Sequence, residues 1–278
     1  MTRRRFPVGK TLLYVFMSLW ALTTIYPFIW VILNSFKPRG LIRSDTFSLP
    51  IGDKFTLERV DTGTAYVNSI VISGAVTVVV MVLAGLAAYA MVRYSFRLRG
   101  FLHSMIIASM MFPVFSTIIP VFRMESSWGI VNTGSIWLTR LSVVLPQIAG
   151  NLSFAIIVLM GFIRSLPVDL EEAAYLEGYN VYQIFFRIIM PLAKPSFATV
   201  GIFTFLWSYN DLFLQMFFLR SKKFFTITRL LNEISSQAGT NYGLMVAAVV
   251  MVVIPVLVVY IFLQNYIIKG MTAGAVKG

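Results

Sequence analysis

Six stretches of this chain run for about twenty residues or more with at most one Asp, Glu, Lys, Arg or His apiece: Leu12–Leu33, Tyr66–Val92, Phe101–Phe122, Leu141–Ile163, Ser196–Leu219 and Tyr242–Ile268. At about 1.5 Å of rise per residue, a helix of that length crosses the roughly 30 Å of a bilayer's hydrocarbon. Strands in the same position would have to close into a barrel and alternate with a period of two. Segments such as "IVISGAVTVVVMVLAGLAAYAM" are instead apolar on every face. The sequence therefore predicts an all-α, polytopic membrane protein with six transmembrane helices, forming one transmembrane domain over residues 1–278.

Composition agrees. With 58% hydrophobic residues and 12% charged ones, the chain has too little polar surface to cover a soluble globule. Its net charge of +12 would point to nucleic acid in a soluble protein, but these bases flank apolar runs, where they anchor helices to lipid headgroups. Cysteine is absent, which removes thiolate nucleophiles, cysteine metal sites and disulfides from consideration. The opening "MTRRRFPVGK" looks like the start of a signal peptide, yet the charge-free run from Thr11 to Phe36 is too long for one, so it is expected to be retained as the first span.

Prolines fall inside or beside the spans at Pro27, Pro113, Pro120, Pro146 and Pro255. Each removes a backbone donor, so kinked and bundled helices are expected. The second span is rich in small residues (Ser73, Gly74, Ala75, Ala84, Gly85, Ala87, Ala88), which let helices approach closely, within the chain or across subunits. Lysines and arginines divide almost evenly between the two sides. Charge alone leaves the orientation open, although the clusters "TRRR" and "RYSFRLR" favour an inner N-terminus. Residues 37–65 read as an external loop, and no soluble domain is apparent.

One polar stretch interrupts this pattern, "EEAAYLEGYNVYQIFFRIIMP" from Glu171 to Pro191. Pro167 suits a first helical turn, and Asp169, Glu171 and Glu172 complement the positive end of a helix dipole. Gly178 offers a left-handed C-terminal cap. Asn180, with Gln183 three residues on, predicts the start of a second helix that Pro191 and Pro195 are expected to stop. Leu170, Ala173 and Ala174 would share one face of the first helix, giving a shallow surface for another protein. A catalytic carboxylate pair finds no base partner, nucleophile or metal ligand nearby, whereas a solvated connector with capping charges stays open.

Glu172-Ala173-Ala174, three residues, Gly178, nine residues, Ile188, one residue, Met190 and Pro191 resemble the "EAA" signature of permease subunits of binding-protein-dependent ABC importers. Glu177, Tyr179 and Met190 stand where that family favours Asp, Ala and Leu. "TIYPFIWVILNSFK", "AAYAMVRYSF", "YND" at Tyr209–Asp211 and the terminal "QNYIIKGMTAGAVKG" resemble the maltose-type, carbohydrate-uptake branch, with Tyr209 in the place of a usual Trp.

The resemblance implies one half of a heterodimeric pore in a bacterial cytoplasmic membrane, both termini cytoplasmic, working with a second permease, two cytoplasmic ATPase subunits and an external solute-binding protein. It also makes residues 164–195 a cytoplasmic coupling segment between spans four and five, with Asp169, Glu171, Glu172, Ala173, Ala174, Glu177, Gly178 and Pro191 meeting the ATPase. ATP and Mg would sit on that partner, leaving this chain non-catalytic and without a cofactor of its own. Tyr209, Asn210 and Asp211 become candidates for the substrate pathway; the residue-level alternative is a polar group satisfied near the outer boundary. Arg220, Lys222, Lys223 and Gln237, in the segment 220–241, become candidates for contact with the binding protein, against a solvated connector.

A stand-alone secondary transporter or channel is the competing reading. It would call for internal repeats or several buried charges, and the six spans supply only Asp211. A membrane-embedded enzyme lacks any Ser/His/Asp, HExxH or cysteine constellation.

Overall fold

The computed structural model describes residues 8–37, 39–45, 47–52, 62–237, 245–258 and 260–261. Among these, every regular element is helical. In order they are α1 (Val8–Asn34), α2 (Arg39–Ser44), α3 (Gly63–Arg93), α4 (Arg99–Met110), α5 (Val114–Ser127), α6 (Ile136–Ile163), α7 (Asp169–Leu176), α8 (Val181–Ile184), a π-helical turn (Phe185–Ile189), α9 (Met190–Leu192), α10 (Lys194–Asn210), α11 (Leu212–Phe218), a 3-10 turn (Lys222–Phe224) and α12 (Ile227–Gln237). A further apolar helix, α13, covers Met245–Val258.

The chain groups into two compact units, residues 1–61 with 231–255, and residues 62–230 with 256–278. In the first, α1 carries its apolar side chains outward, Leu13 and Trp20 among them, as a helix facing lipid must. At its end Lys37 is buried, and its ammonium donates to the Asp45 carbonyl at 3.0 Å. This puts a base expected in an external loop into a local lock that ties the turn before α2 to the residue after it.

The second unit is built around α3 and α6, with α10 beside them. α1, α3 and α6 are each long and apolar enough to span a membrane. The third expected span is instead broken, α4 and α5 meeting at 107°, while the helix through residues 181–192 meets α10 at 82° just ahead of the fifth expected span, which is itself interrupted at Asp211. Three unbroken spans, or five with both bent pairs, thus stand among the described residues where the sequence predicted six. α13 is shorter than a full crossing, and most of the rest of the sixth expected span lies outside the described residues. The causes are local. Pro113, in extended conformation, caps α5 and cannot donate back to α4; the 82° bend falls at Ala193, and Asp211 (φ −72°, ψ 83°) leaves the helical region between α10 and α11.

Inside lipid the hydrophobic effect does not drive helices together, so van der Waals fit decides. Ala84 and Ala88 are fully buried, so the small-residue stripe of α3 packs within the chain. Gly85 is needed for that fit: a Cβ there would lie 2.8 and 2.9 Å from the Phe197 ring and 3.0 Å from Phe185. Gly85→Ala must displace two buried rings, which costs about 1–3 kcal/mol. Thermal unfolding in detergent should show the loss for Gly85→Ala, its recovery in the double variant with Phe197→Leu, and no comparable loss for Gly74→Ala, whose Cβ meets nothing.

Candidate functional site

The polar stretch folds as the helix, turn and helix its residues predict. α7 ends at Leu176 with Glu177 as its C-terminal cap, and Gly178 follows at φ +82°, the left-handed region that glycine enters without steric cost. Asn180 then accepts from the Gln183 amide at 2.9 Å, while the Gln183 side chain accepts from the Asn180 amide at 2.8 Å, a complete capping box. Pro191 does not stop the second helix, contrary to expectation. Before it the backbone widens into the π-helical turn Phe185–Ile189, and Pro191 sits at the start of α9, where a missing amide hydrogen leaves no bond unmade. The break comes at Ala193, and Pro195 starts α10.

The residues of α7 divide by face. Asp169, Leu170, Glu172, Ala173, Leu176 and Glu177 are exposed, whereas Glu171 and Ala174 are buried. The shared face expected of Leu170, Ala173 and Ala174 is therefore split, with Ala174 turned inward. Glu171 is held by α3: Arg93 donates through Nε to its carboxylate at 2.6 Å, and the Tyr89 hydroxyl donates at 2.8 Å. Arg93 also donates through a terminal nitrogen to the Leu166 carbonyl at 2.9 Å. Nearby, the hydroxyls of Tyr94 and Tyr175 share a hydrogen bond at 3.0 Å. The side chains of Arg93 and Glu171 are only 11% and 5% exposed, so little water screens them. Behind them Ile184, Phe185 and Ile189 are fully buried, with Phe185 against Tyr89 and Phe197. The hairpin is thereby tied to α3 and α10, while one face of α7 stays free.

At the other end of the unit, Tyr209, Asn210 and Asp211 do not converge. Tyr209 is buried, and its hydroxyl has no hydrogen-bond partner. Asn210 is exposed, and its amide donates to the Leu206 carbonyl at 2.8 Å. Asp211 caps α11 by accepting from the Leu214 amide at 3.2 Å, and it accepts from the Gln147 side chain at 3.1 Å. Ser208 donates to Gln147 at 2.6 Å, Gln215 donates to the Ser208 carbonyl at 3.2 Å, and Thr226 donates to Gln215. This chain of side-chain amides and hydroxyls satisfies the backbone that the break exposes, as a low-dielectric site requires.

The segment after α11 is no solvated connector. Phe224, Phe225, Thr226 and Ile227 are buried, and the Asn68 amide donates to the carbonyls of Lys223 and Phe225 at 3.2 and 3.0 Å. Arg140 donates to Asn68 at 2.9 Å, and the Ser69 hydroxyl accepts from the Ile227 amide at 2.8 Å. Arg220, Lys222 and Lys223 remain exposed. Gln237 ends α12.

Sequence reasoning missed Arg93 and Tyr89 as partners of Glu171, and it missed Glu125. The third span was ended at Phe122, which left Glu125 outside the count of buried acids. It is buried on α5, so the apolar segments hold an acid besides Asp211.

The model of the family described as "Binding-protein-dependent transport system inner membrane component" matches residues 80–273. The diacetylchitobiose uptake system permease protein NgcG of Streptomyces coelicolor is 32% identical over 95% of this chain and 88% of its own. The trehalose transport system permease protein SugB of Mycobacterium tuberculosis is 31% identical over 91% and 93%. A chain from the crystal structure of a bacterial ABC transporter involved in importing the acidic polysaccharide alginate shares the fold, with a TM-score of 0.73 at 23% identity, covering 96% of this chain and 99% of that one. Matched over most of its length by both the family model and such relatives, this protein belongs to the family of inner-membrane components of binding-protein-dependent transport systems.

Proposed function

We propose that the chain is one permease subunit of an ATP-driven importer for a carbohydrate or oligosaccharide, and that α7 is its coupling helix. In this reading the whole of residues 1–278 forms one permease domain with six spans and both termini cytoplasmic. The segment 164–195 lies on the cytoplasmic face between spans four and five. A second permease completes the pathway, two ATPase subunits supply the energy, and an external binding protein delivers the solute. The sugar class follows from NgcG and SugB, whose names give diacetylchitobiose and trehalose.

The observation that carries the coupling role is the division of α7 into an exposed face and a face held by Arg93 and Tyr89. An ATPase gripping Glu172 and Ala173 would move a helix that cannot shift without taking α3 along. Closure of the ATPase dimer then becomes rotation of the spans. Glu172, charged and exposed, offers a charge-assisted hydrogen bond to a donor on the partner.

Purification tests this directly. Expressed with its neighbouring genes and tagged on this chain, the protein should co-elute with a second membrane subunit and an ATPase; a channel or secondary transporter would elute and conduct alone. ATP hydrolysis by that complex should rise when the binding protein is added. Lys222→Glu with Lys223→Glu should remove most of the rise and leave assembly intact, because both lysines lie outside the buried Phe224–Ile227 strip. Replacing the whole segment by a short turn would instead remove that strip and unseat the packing around Asn68.

A further inference from the structure

A cavity of about 460 Å³ opens between α4, α5, α6 and α11, in the size range of small-molecule sites. Glu125 is the only ionisable residue in its lining. It is 1% exposed, and its Oε2 has no hydrogen-bond partner. An uncompensated carboxyl oxygen in a low-dielectric site costs several kcal/mol, so its retention calls for a donor that arrives from outside the chain. Most of the remaining wall is apolar, and three of its residues suit a sugar. Trp128, more than half exposed, offers an indole face one helical turn from Glu125. Ser109 and Ser153, hydrogen-bonded to each other, bring hydroxyls to the same wall. Gly150 lines the same cavity, and a Cβ there meets nothing within 4 Å.

We propose that this cavity is a carbohydrate subsite carried by this subunit, selective for neutral or amino sugars over uronic acids. It rests on the carbohydrate reading above and adds to it where the sugar is held in this chain. A sugar presents C–H groups to stack on the indole and hydroxyls to donate to Glu125, which satisfies the orphaned oxygen. A uronate would set a second carboxylate against the first in a site with no cation in its lining, and like charges at close range are strongly unfavourable. An exposed, hydrated face would tolerate either sugar; a buried acid does not.

The test uses the whole transporter in lipid nanodiscs without its binding protein. It is titrated with glucose, N-acetylglucosamine and glucuronate while saturation transfer to each sugar is read by NMR. Glucose and N-acetylglucosamine should receive transfer, with glucuronate at least about tenfold weaker, equivalent to roughly 1.4 kcal/mol. Glu125→Leu should abolish transfer to the neutral sugars. Gly150→Phe, which sets a ring into the cavity from α6 and leaves the carboxylate in place, should do the same. Glu125→Gln, nearly isosteric, should bring glucuronate to within about twofold of glucose, because it removes the charge and keeps a hydrogen-bonding group. Monodisperse elution of each variant with its partners shows that it is folded. Unchanged transfer in Glu125→Leu and Gly150→Phe, or equal binding of glucuronate and glucose by the parent, would overturn the subsite. Uptake by the parent with its binding protein separates the two readings: sugar import alongside unaffected variants sinks the subsite alone, whereas no import and no binding of any sugar sinks both.

Discussion

Gly178→Val should reduce solute uptake to background in proteoliposomes, while the subunit still inserts and assembles. Gly178 sits at φ +82°, and a Cβ there meets no neighbour, so the cost of substitution lies entirely in the backbone. For an L-residue that cost is about 1–2 kcal/mol, greatest for a β-branched side chain and least for Asn, which tolerates the left-handed region. The chain relieves it by opening the turn between α7 and α8, and a lever that bends at its turn no longer transmits a stroke. Gly178→Asn should therefore retain most uptake. Gly178→Asp has a similar backbone preference but sets a second acid beside the exposed Glu177, so it should fall well below Asn. Uptake measured beside ATP hydrolysis checks the assignment, because uncoupling lowers the solute moved per ATP. If the Val and Asp variants transport as the parent does, the turn is no lever.

The second large effect is expected at Arg93 and Glu171. Removing either partner leaves the other charge buried and unpaired, which typically costs about 3–5 kcal/mol. Arg93→Ala and Glu171→Ala should each lower the thermal unfolding transition in detergent and cut uptake severely. Pairing them as Arg93→Met with Glu171→Leu removes both charges together and should recover most of the stability. Uptake should stay low in that double variant, since the carboxylate that fixes α7 to Arg93, Tyr89 and, through Arg93, the Leu166 carbonyl is gone. A double-mutant cycle on matched substitutions should report an interaction of about 3 kcal/mol or more, because the double variant loses less than either single one. Additive losses, or uptake recovered along with stability, would mean that the pair serves folding alone.

These two sites differ in how legible they were. Gly178, Asn180 and Gln183 could be read because a left-handed cap and a capping box are decided within four residues. The spans α1, α3 and α6 were equally plain, being long and uninterrupted. Glu171 was read as a dipole-complementing acid facing a partner, yet its inward turn depends on Tyr89 and Arg93, 82 and 78 residues away, and no local pattern encodes that pairing. Pro191 was taken for a helix stop because the π-helical turn that accommodates it has no sequence signature. Asp211 carried a local signal, an N-cap three residues before Leu214, that its position inside an apolar run obscured. Glu125 was lost because the third span was ended at Phe122, although the structure continues helix from Val114 to Ser127 past Pro120.

Glu171 and Glu172 illustrate why a motif read as one docking surface must be divided. They are neighbours in sequence, but a helix turns about 100° between them. One is committed to the chain's own interior and the other is exposed, so an acid-to-alanine change means different things at the two positions. Glu172→Ala should weaken ATPase docking with little loss of stability, whereas Glu171→Ala should lose both.

The chain has no cysteine, so a single one introduced at the exposed Ala173 reports on α7 without background. In sealed cells, Ala173→Cys should be shielded from a membrane-impermeant thiol reagent added outside, and a short crosslinker should join it to the ATPase subunit in a yield that changes when ATP binds. Labelling from the outside, or crosslinks that never capture the ATPase, would contradict the account.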